Sequence, residues 1–325
     1  MITCASFFAG VGGIDLAFQR AGFDVVYANE NCENASLTFM QNHEIGLDTR
    51  DIRNVKSSEI PDFDVMLAGF PCQAFSVAGY RQGFDDEKDR GNLYFELERI
   101  MKDKKPHLVF LENVKNLVSH DNGRTFRIIR GSMEELGYKI HHRVMNACDY
   151  GDIPQNRERI YIVGFLDKNM SDCFQFPDEI TLETTIREIF DFEGIVDDRY
   201  YYREDAYMYE DLKMGMSSDE TVYQWRRKYV RENKSNLCPT LTANMGTGGH
   251  NVPLILTPHG IRKLTPKECF RIQGFDRAFK LPENVANSHL YKQAGNSVAV
   301  PVISRIADSI MSAINQEVLV PKSQG

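Results

Sequence analysis

Six short apolar runs dominate the first 165 residues, and stretches with helical spacing lie between them. Ile2–Phe8, Asp24–Asn29, Asp64–Phe70, Leu108–Val114, Lys139–Asn146 and Ile160–Phe165 have the length of buried strands, about 5–8 residues. After the first of them, Ile14, Ala17, Phe18 and Ala21 fall at i, i+3, i+4 and i+7, with Gly22 as a stop. Asn92–Met101 and Thr125–Leu136 repeat the pattern, and Gly137 closes the latter. Alternation of this kind predicts an α/β fold whose mainly parallel sheet is covered by helices on both faces.

The texture changes near Pro177. Residues 191–211 carry eight acids against Arg199 and Arg203, and Trp225–Lys234 then carries five cations against Glu232. A glycine-rich stretch follows at 244–250, and helical spacing resumes at Thr265–Gln273 and Val298–Ile314. A length of 325 residues is about two domains' worth. The middle therefore reads as a second, smaller domain, with the last helix returning to the first. The net charge of −8 leans against a chain coated in basic charge, but it is silent on where charge sits. Seven scattered cysteines form no C-x-x-C pair, which predicts reduced thiols and no metal site. No stretch approaches the ~18–20 uninterrupted apolar residues of a membrane span. Met1-Ile2-Thr3-Cys4 has no basic region of a secretory signal, so a cytoplasmic protein without a membrane partner is expected.

Chemistry collects where strands end. The first runs into Phe7-Phe8-Ala9-Gly10-Val11-Gly12-Gly13, where glycines let backbone approach a ligand and leave helix N–H groups free. Asp15 stands where the dinucleotide fingerprint wants a small residue, which disfavours NAD. Glu30, ending the second run, suits a carboxylate that accepts both hydroxyls of a ribose. Together they favour an adenosine ligand. Cys72 follows the third run, where α/β sheets place ligands; inert packing and a nucleophile are both open readings. Ala74–Gly91 lacks apolar periodicity and reads as a lid. Glu112 ends the fourth run, where a buried acid needs a partner or a proton. Arg157 and Arg159 alternate toward one side if the strand period already applies there.

In that order, Phe70-Pro71-Cys72-Gln73-Ala74-Phe75-Ser76, Glu112-Asn113-Val114, Gln155-Asn156-Arg157-Glu158-Arg159, Arg262-Lys263-Leu264-Thr265-Pro266-Lys267-Glu268-Cys269 and Gln293-Ala294-Gly295-Asn296-Ser297-Val298 make the chain resemble the DNA (cytosine-5) methyltransferases of bacterial restriction–modification systems. The resemblance runs along nearly the whole length, and five motifs in the family's order make it specific.

The resemblance implies a Rossmann-like S-adenosylmethionine-dependent domain over 1–177, completed by 287–325, an irregular target-recognition domain over 178–258, and a connection over 259–286. It implies methyl transfer from S-adenosylmethionine, leaving S-adenosylhomocysteine, to carbon 5 of a flipped-out cytosine in duplex DNA. Cys72 would be the nucleophile at carbon 6, with Glu112 and Arg159 on the ring and Arg157 stabilising the site. Phe8, Ala9, Gly10, Gly12, Gly13, Glu30, Asp51, Ile52, Pro71, Leu93, Asn296, Ser297 and Val298 would hold the cofactor. Ser76, Arg226, Arg227, Lys228, Arg231, Thr240, Leu241, Thr242 and Asn244 would meet DNA. Many relatives carry an aromatic residue after the ribose glutamate, whereas this chain has Asn31. A monomer is expected, and a cognate restriction endonuclease would act on the same site. Two rivals remain: a tRNA cytosine-5 methyltransferase on the same scaffold, and a catalytically silent DNA-binding protein.

Overall fold

The computed structural model of the chain describes residues 1–71, 93–226, 228–247 and 251–319. Cys72, Ser76, Arg227 and the expected lid at 74–91 lie outside the described residues. All six apolar runs are strands. In chain order the N-terminal part contains β1 (Thr3–Phe7), α1 (Gly13–Arg20), β2 (Asp24–Asn29), α2 (Glu33–Asn42), β3 (Leu47–Asp48) and β4 (Val65–Gly69). It continues with α3 (Leu93–Lys104), β5 (Leu108–Val114), α4 (Arg124–Glu135), β6 (Lys139–Asn146), α5 (Ala147–Tyr150), β7 (Gln155–Asn156), β8 (Glu158–Phe165) and α6 (Lys168–Cys173).

These strands form a seven-stranded sheet in the order β3-β2-β1-β4-β5-β8-β6. The run from β3 to β5 is parallel, as the alternation predicts. β8 is antiparallel to both β5 and β6. The reason is the connection: only residues 147–157 separate β6 from β8. A crossover to a parallel neighbour needs a dozen or more residues and usually a covering helix. The chain moves outward from β1 to β3 and then returns across β1 to β4. The strand order therefore reverses between β1 and β4, and ligands of open α/β sheets bind in the crevice beyond such a reversal.

Residue alternation divides the sheet into two buried faces. Cys4, Val65, Leu67, Leu108, Phe110, Tyr161 and Val163 enter one core with Phe18 of α1. Ala5, Phe7, Met66, Ala68, Val109, Leu111, Ile160 and Ile162 enter the other, with Leu97 and Ile100 of α3 and Ile129 of α4.

Beyond α6 the chain forms α7 (Ile186–Ile189), α8 (Tyr209–Gly215), β9 (Tyr223–Trp225), β10 (Val230–Glu232), β11 (Cys238–Pro239), β12 (Leu254–Thr257), β13 (Gly260–Lys263), α9 (Pro266–Arg271), α10 (Asn287–Asn296) and α11 (Val300–Leu319). A second, four-stranded antiparallel sheet runs β10-β9-β12-β13. With α8 it encloses a small core of Met208, Leu212, Met216, Tyr223, Trp225, Leu254 and Ile261. The same region also sends Ile186, Phe190, Phe192, Val222, Cys238, Leu241, Met245, Val252 and Ile255 into the main core. Asn287–Gln316 is long and apolar enough to cross a membrane by length and composition alone. Here it breaks between α10 and α11, and Val302, Ile303, Ile306 and Ile310 are buried against the core shared with α1. The start of α9 carries a capping box between Thr265 and Glu268, with Pro266 in its first turn. Fully buried Arg262 donates two hydrogen bonds to Glu268, at 2.8 and 2.9 Å, and thereby ties β13 to α9.

Candidate active site

The turn from β1 into α1 is built on left-handed backbone. Phe8, Gly10 and Gly12 have φ of 55°, 59° and 83°, a region that costs an ordinary L-residue roughly 1–2 kcal/mol. At Gly12 the reason is also steric, because a Cβ there would lie 2.0 Å from the His43 Nε2. The His43 ring stacks on Phe39 at 4.4 Å and its Nε2 lies 3.2 Å from the Val11 carbonyl, to which the N–H donates. Burial lowers the His43 pKa and keeps the ring neutral. His43 thus supports the turn from behind, a role no local sequence pattern marks. Gly12 faces that support and does not line the cavity, unlike the other cofactor residues expected from sequence. Gly12→Ala is expected to weaken binding of S-adenosylhomocysteine at least about tenfold, since 1.4 kcal/mol is a factor of ten. Calorimetric titration checks this, and unchanged affinity would remove the argument.

Glu30 ends β2 with both carboxylate oxygens already oriented. Oε2 accepts from the Gly10 N–H at 2.9 Å, and Oε1 accepts from the Cys32 N–H at 2.7 Å. Each oxygen keeps a lone pair, which is the arrangement a vicinal diol needs from a carboxylate. Asp51 precedes a short 3-10 turn at Ile52–Asn54, and the Arg53 guanidinium beside it holds its carboxyl below the ordinary range. Phe8, Ala9, Gly10, Gly13, Glu30, Asp51, Ile52, Pro71, Leu93, Asn296, Ser297 and Val298 line one cavity of about 690 Å³. That volume suits a nucleoside-sized molecule. Gly13 packs so tightly on the far wall that a Cβ would sit 2.8 Å from Val298. The group implied by the fold fits: the cavity offers glycine backbone without side chains, a diol acceptor at Glu30 and a wall at Gly13 too tight for a Cβ.

Glu112 and Arg159 line the same cavity. The register explains the meeting: Glu112 pairs with Tyr161 and Val114 with Arg159, so all four share a face and Glu112 is the diagonal neighbour of Arg159. The Arg159 Nε lies 3.1 Å from the Glu112 Oε1. Glu112 is only 8% exposed. Burial raises its pKa, with Arg159 and then Arg157 opposing. Asn113 donates from Nδ2 to the Phe70 carbonyl at 2.8 Å, tying the end of β5 to the segment that enters Cys72. Arg157 reaches the cavity wall as well, but its guanidinium points at main-chain carbonyls of Leu241, Gly295 and Ser297.

The residues expected to meet DNA divide into two groups. Arg226, Lys228 and Arg231 are exposed on the β9–β10 hairpin. Thr242 and Asn244 are exposed too, and the Thr240 hydroxyl donates to the Asn156 carbonyl. Leu241 is 1% exposed and packs in the main core, so its side chain faces away from any groove. His289, Lys292 and Gln293 of α10 also line the cavity, and Gln293 bonds Thr38 and Asn34 of α2, each at 2.8 Å. Residues 287–296 show no clean apolar stripe, so the wall they form was not visible as a helix.

Residues 2–312 match the family model described as C-5 cytosine-specific DNA methylase. The chain is 58% identical to the Type II methyltransferase M.Bsp6I of Bacillus sp. (strain RFL6), over 97% of this chain and all of that protein. It is 39% identical to M.HaeII of Haemophilus aegyptius over 95% of this chain and 92% of that one. M.HhaI of Haemophilus parahaemolyticus is 38% identical over 95% and 94%. Among solved structures, the S. pombe Dnmt2 methyltransferase matches with a TM-score of 0.75 at 18% identity, covering 97% of this chain and all of that one. A putative DNA modification methyltransferase from an E. coli prophage matches at 0.70 and 22%, covering 97% and 100%. At those identities the structural likeness is one of fold. With a nucleoside-sized cavity at the strand reversal and a buried carboxyl–guanidinium pair opening into it, the chain belongs to the C-5 cytosine-specific DNA methylases of restriction–modification systems, which methylate DNA and use S-adenosylmethionine.

Proposed function

We propose that this chain methylates carbon 5 of a flipped-out cytosine within one short duplex sequence, through a covalent adduct of Cys72 at carbon 6. The observation that carries the reading is the Glu112–Arg159 pair, buried and open to the cavity that also holds Glu30 and the glycine turn. Bound there, S-adenosylmethionine supplies an electrophilic methyl group and is released as S-adenosylhomocysteine. Carbon 5 of cytosine is too electron-poor to attack such a methyl unaided. The Cys72 thiolate adds to carbon 6, and the ring electrons displaced toward nitrogen 3 are neutralised by a proton from Glu112. The enamine so formed is nucleophilic at carbon 5. After transfer, the carbon-5 proton leaves to a base, nitrogen 3 returns its proton to Glu112, and Cys72 is expelled as thiolate, which restores the ring double bond.

Each described residue has a physical reason for its part. Burial lifts the Glu112 pKa, so it holds its proton more readily than an exposed glutamate and can supply it as negative charge develops. Arg159 is a planar cation beside it, suited to the ring's carbonyl oxygen. Asn113, through Phe70, positions the strand end that leads to Cys72. A monomer is the working unit this reading expects. A cognate endonuclease at the same site is the counterpart a modification enzyme of this type implies. The test is transfer of tritiated methyl to plasmid DNA, with bisulfite sequencing of the product. One recurrent short sequence protected at cytosine is expected. Label in tRNA but not in duplex DNA would overturn the proposal.

A further inference from the structure

Arg157 is placed as though it were catalytic, yet its hydrogen bonds go elsewhere. It is 2% exposed. Nη1 donates to the Leu241 carbonyl at 2.9 Å, while Nη2 donates to the Gly295 carbonyl at 3.3 Å and to the Ser297 carbonyl. Burial and then the like charge of Arg159 lower its pKa to about 9, which leaves it cationic at neutral pH. Gly295 lies in the last turn of α10 and Ser297 is its C-cap, so two of the three acceptors are carbonyls that a helix C-terminus leaves without intrahelical partners. A cation there is favoured by the helix dipole as well. The third acceptor belongs to the segment that opens Leu241–Asn244.

The same two segments meet twice more, backbone on backbone. A Cβ on Gly295 would lie 2.1 Å from the Thr242 carbonyl carbon, and a Cβ on Gly246 would lie 2.3 Å from the Ser288 carbonyl oxygen. Between these contacts α10 is one helical rod of ten residues. One side of it lines the cavity through Gln293 and Asn296, and the other carries residues 242–246.

We infer that Arg157 is a positioning residue that locks the DNA-reading segment 240–246 to the cofactor wall at 295–298, so that cofactor binding and DNA binding strengthen one another. The inference rests on the reading above, in which 240–244 meets DNA and 296–298 holds the cofactor. Coupling of this kind is reciprocal: whatever factor the cofactor adds to DNA affinity, DNA adds to cofactor affinity. Lysine is a poor substitute, because one ammonium cannot reach three carbonyls in the fixed fork of a guanidinium.

The experiment measures the dissociation constant of the full chain for its methylation-target duplex, with and without saturating S-adenosylhomocysteine. The wild type is expected to bind about tenfold or more tightly with it, within the usual range of such couplings. In Arg157→Met and Arg157→Lys that ratio should fall below about two, and KM for DNA should rise by a larger factor than kcat falls. Gly246→Ala, which leaves Arg157 intact, should reduce the ratio through the second contact. It keeps the test open if an Arg157 variant does not fold. An undiminished ratio in the variants, or a variant that loses kcat with the ratio intact, overturns the inference. A wild type that methylates DNA but shows no coupling overturns the inference alone, whereas one that transfers no methyl overturns the proposed function.

Discussion

Glu112→Gln is expected to lower kcat for methyl transfer by about a hundred- to ten-thousand-fold, the usual contribution of a positioned acid or base. The same variant should melt at the same temperature as the parent or higher at pH 7.5. The sign follows from the direction of the pKa shift. Burial raises the carboxyl's folded-state pKa above its unfolded value. Such a group contributes stability below the unfolded value and gives it up as pH rises through the folded one. At neutral pH, therefore, the ionised form is the one the fold tolerates least, and a neutral glutamine of the same shape removes that strain. Arg159 keeps its bond to the Glu158 carbonyl at 2.8 Å in either case. Single-turnover rates with cognate duplex, beside thermal melts at pH 5 and 7.5, separate the two effects. An unimpaired rate would exclude Glu112 as the proton donor, and a large fall in melting temperature would show that the residue is structural.

Cys72→Ser should reduce turnover by roughly ten-thousand-fold or more, as removal of a nucleophile does elsewhere. Binding of S-adenosylhomocysteine should stay within about threefold of the parent, because the cavity walls at Gly10, Glu30 and Val298 do not depend on the thiol. Duplex containing 5-fluorocytosine at the target should trap the wild type as a complex stable to denaturing electrophoresis, since carbon 5 then carries no proton to lose and the thiol cannot be expelled. The serine variant should form none. Absence of a trapped species in the wild type, with duplex binding demonstrated, would refute the covalent route.

The strands were legible because both faces of this sheet are covered, which leaves unbroken apolar runs such as Val65–Gly69 with no polar alternation to confuse them. Glu112 and Arg159 were legible because charge at the end of such a run is costly without a purpose. The direction of β8 was not, since a strand's residues are silent about which way it runs, and only the length of its connection constrains it. Helices α2 and α10 escaped because their buried sides carry Thr38, Gln293 and Gly295 where aliphatic residues would have formed a stripe. The partners of the Arg157 guanidinium lie 84, 138 and 140 residues away and are main-chain carbonyls, which leave no trace in residue type. His43 is similar: what it touches is the absence of a side chain at Gly12. The net charge of −8 pointed away from a DNA enzyme, whereas the exposed cations Arg226, Lys228 and Arg231 on one hairpin point toward one.

The way the second sheet shares its apolar side chains bears on which part of it could be exchanged between relatives. A graft cut at 178 and 258 would take Phe190, Phe192, Cys238, Leu241 and Met245 with it and hollow out the host. A cassette limited to 208–232 would carry α8 and the β9–β10 hairpin and leave Leu254 and Ile261 behind as the floor on which they rest. Among the described residues of that cassette, only Val222 enters the main core, while Met208, Leu212, Met216, Tyr223 and Trp225 would have to match the floor left behind. The interchangeable unit is therefore the hairpin with its helix, while the segment at 240–246 travels with the catalytic body.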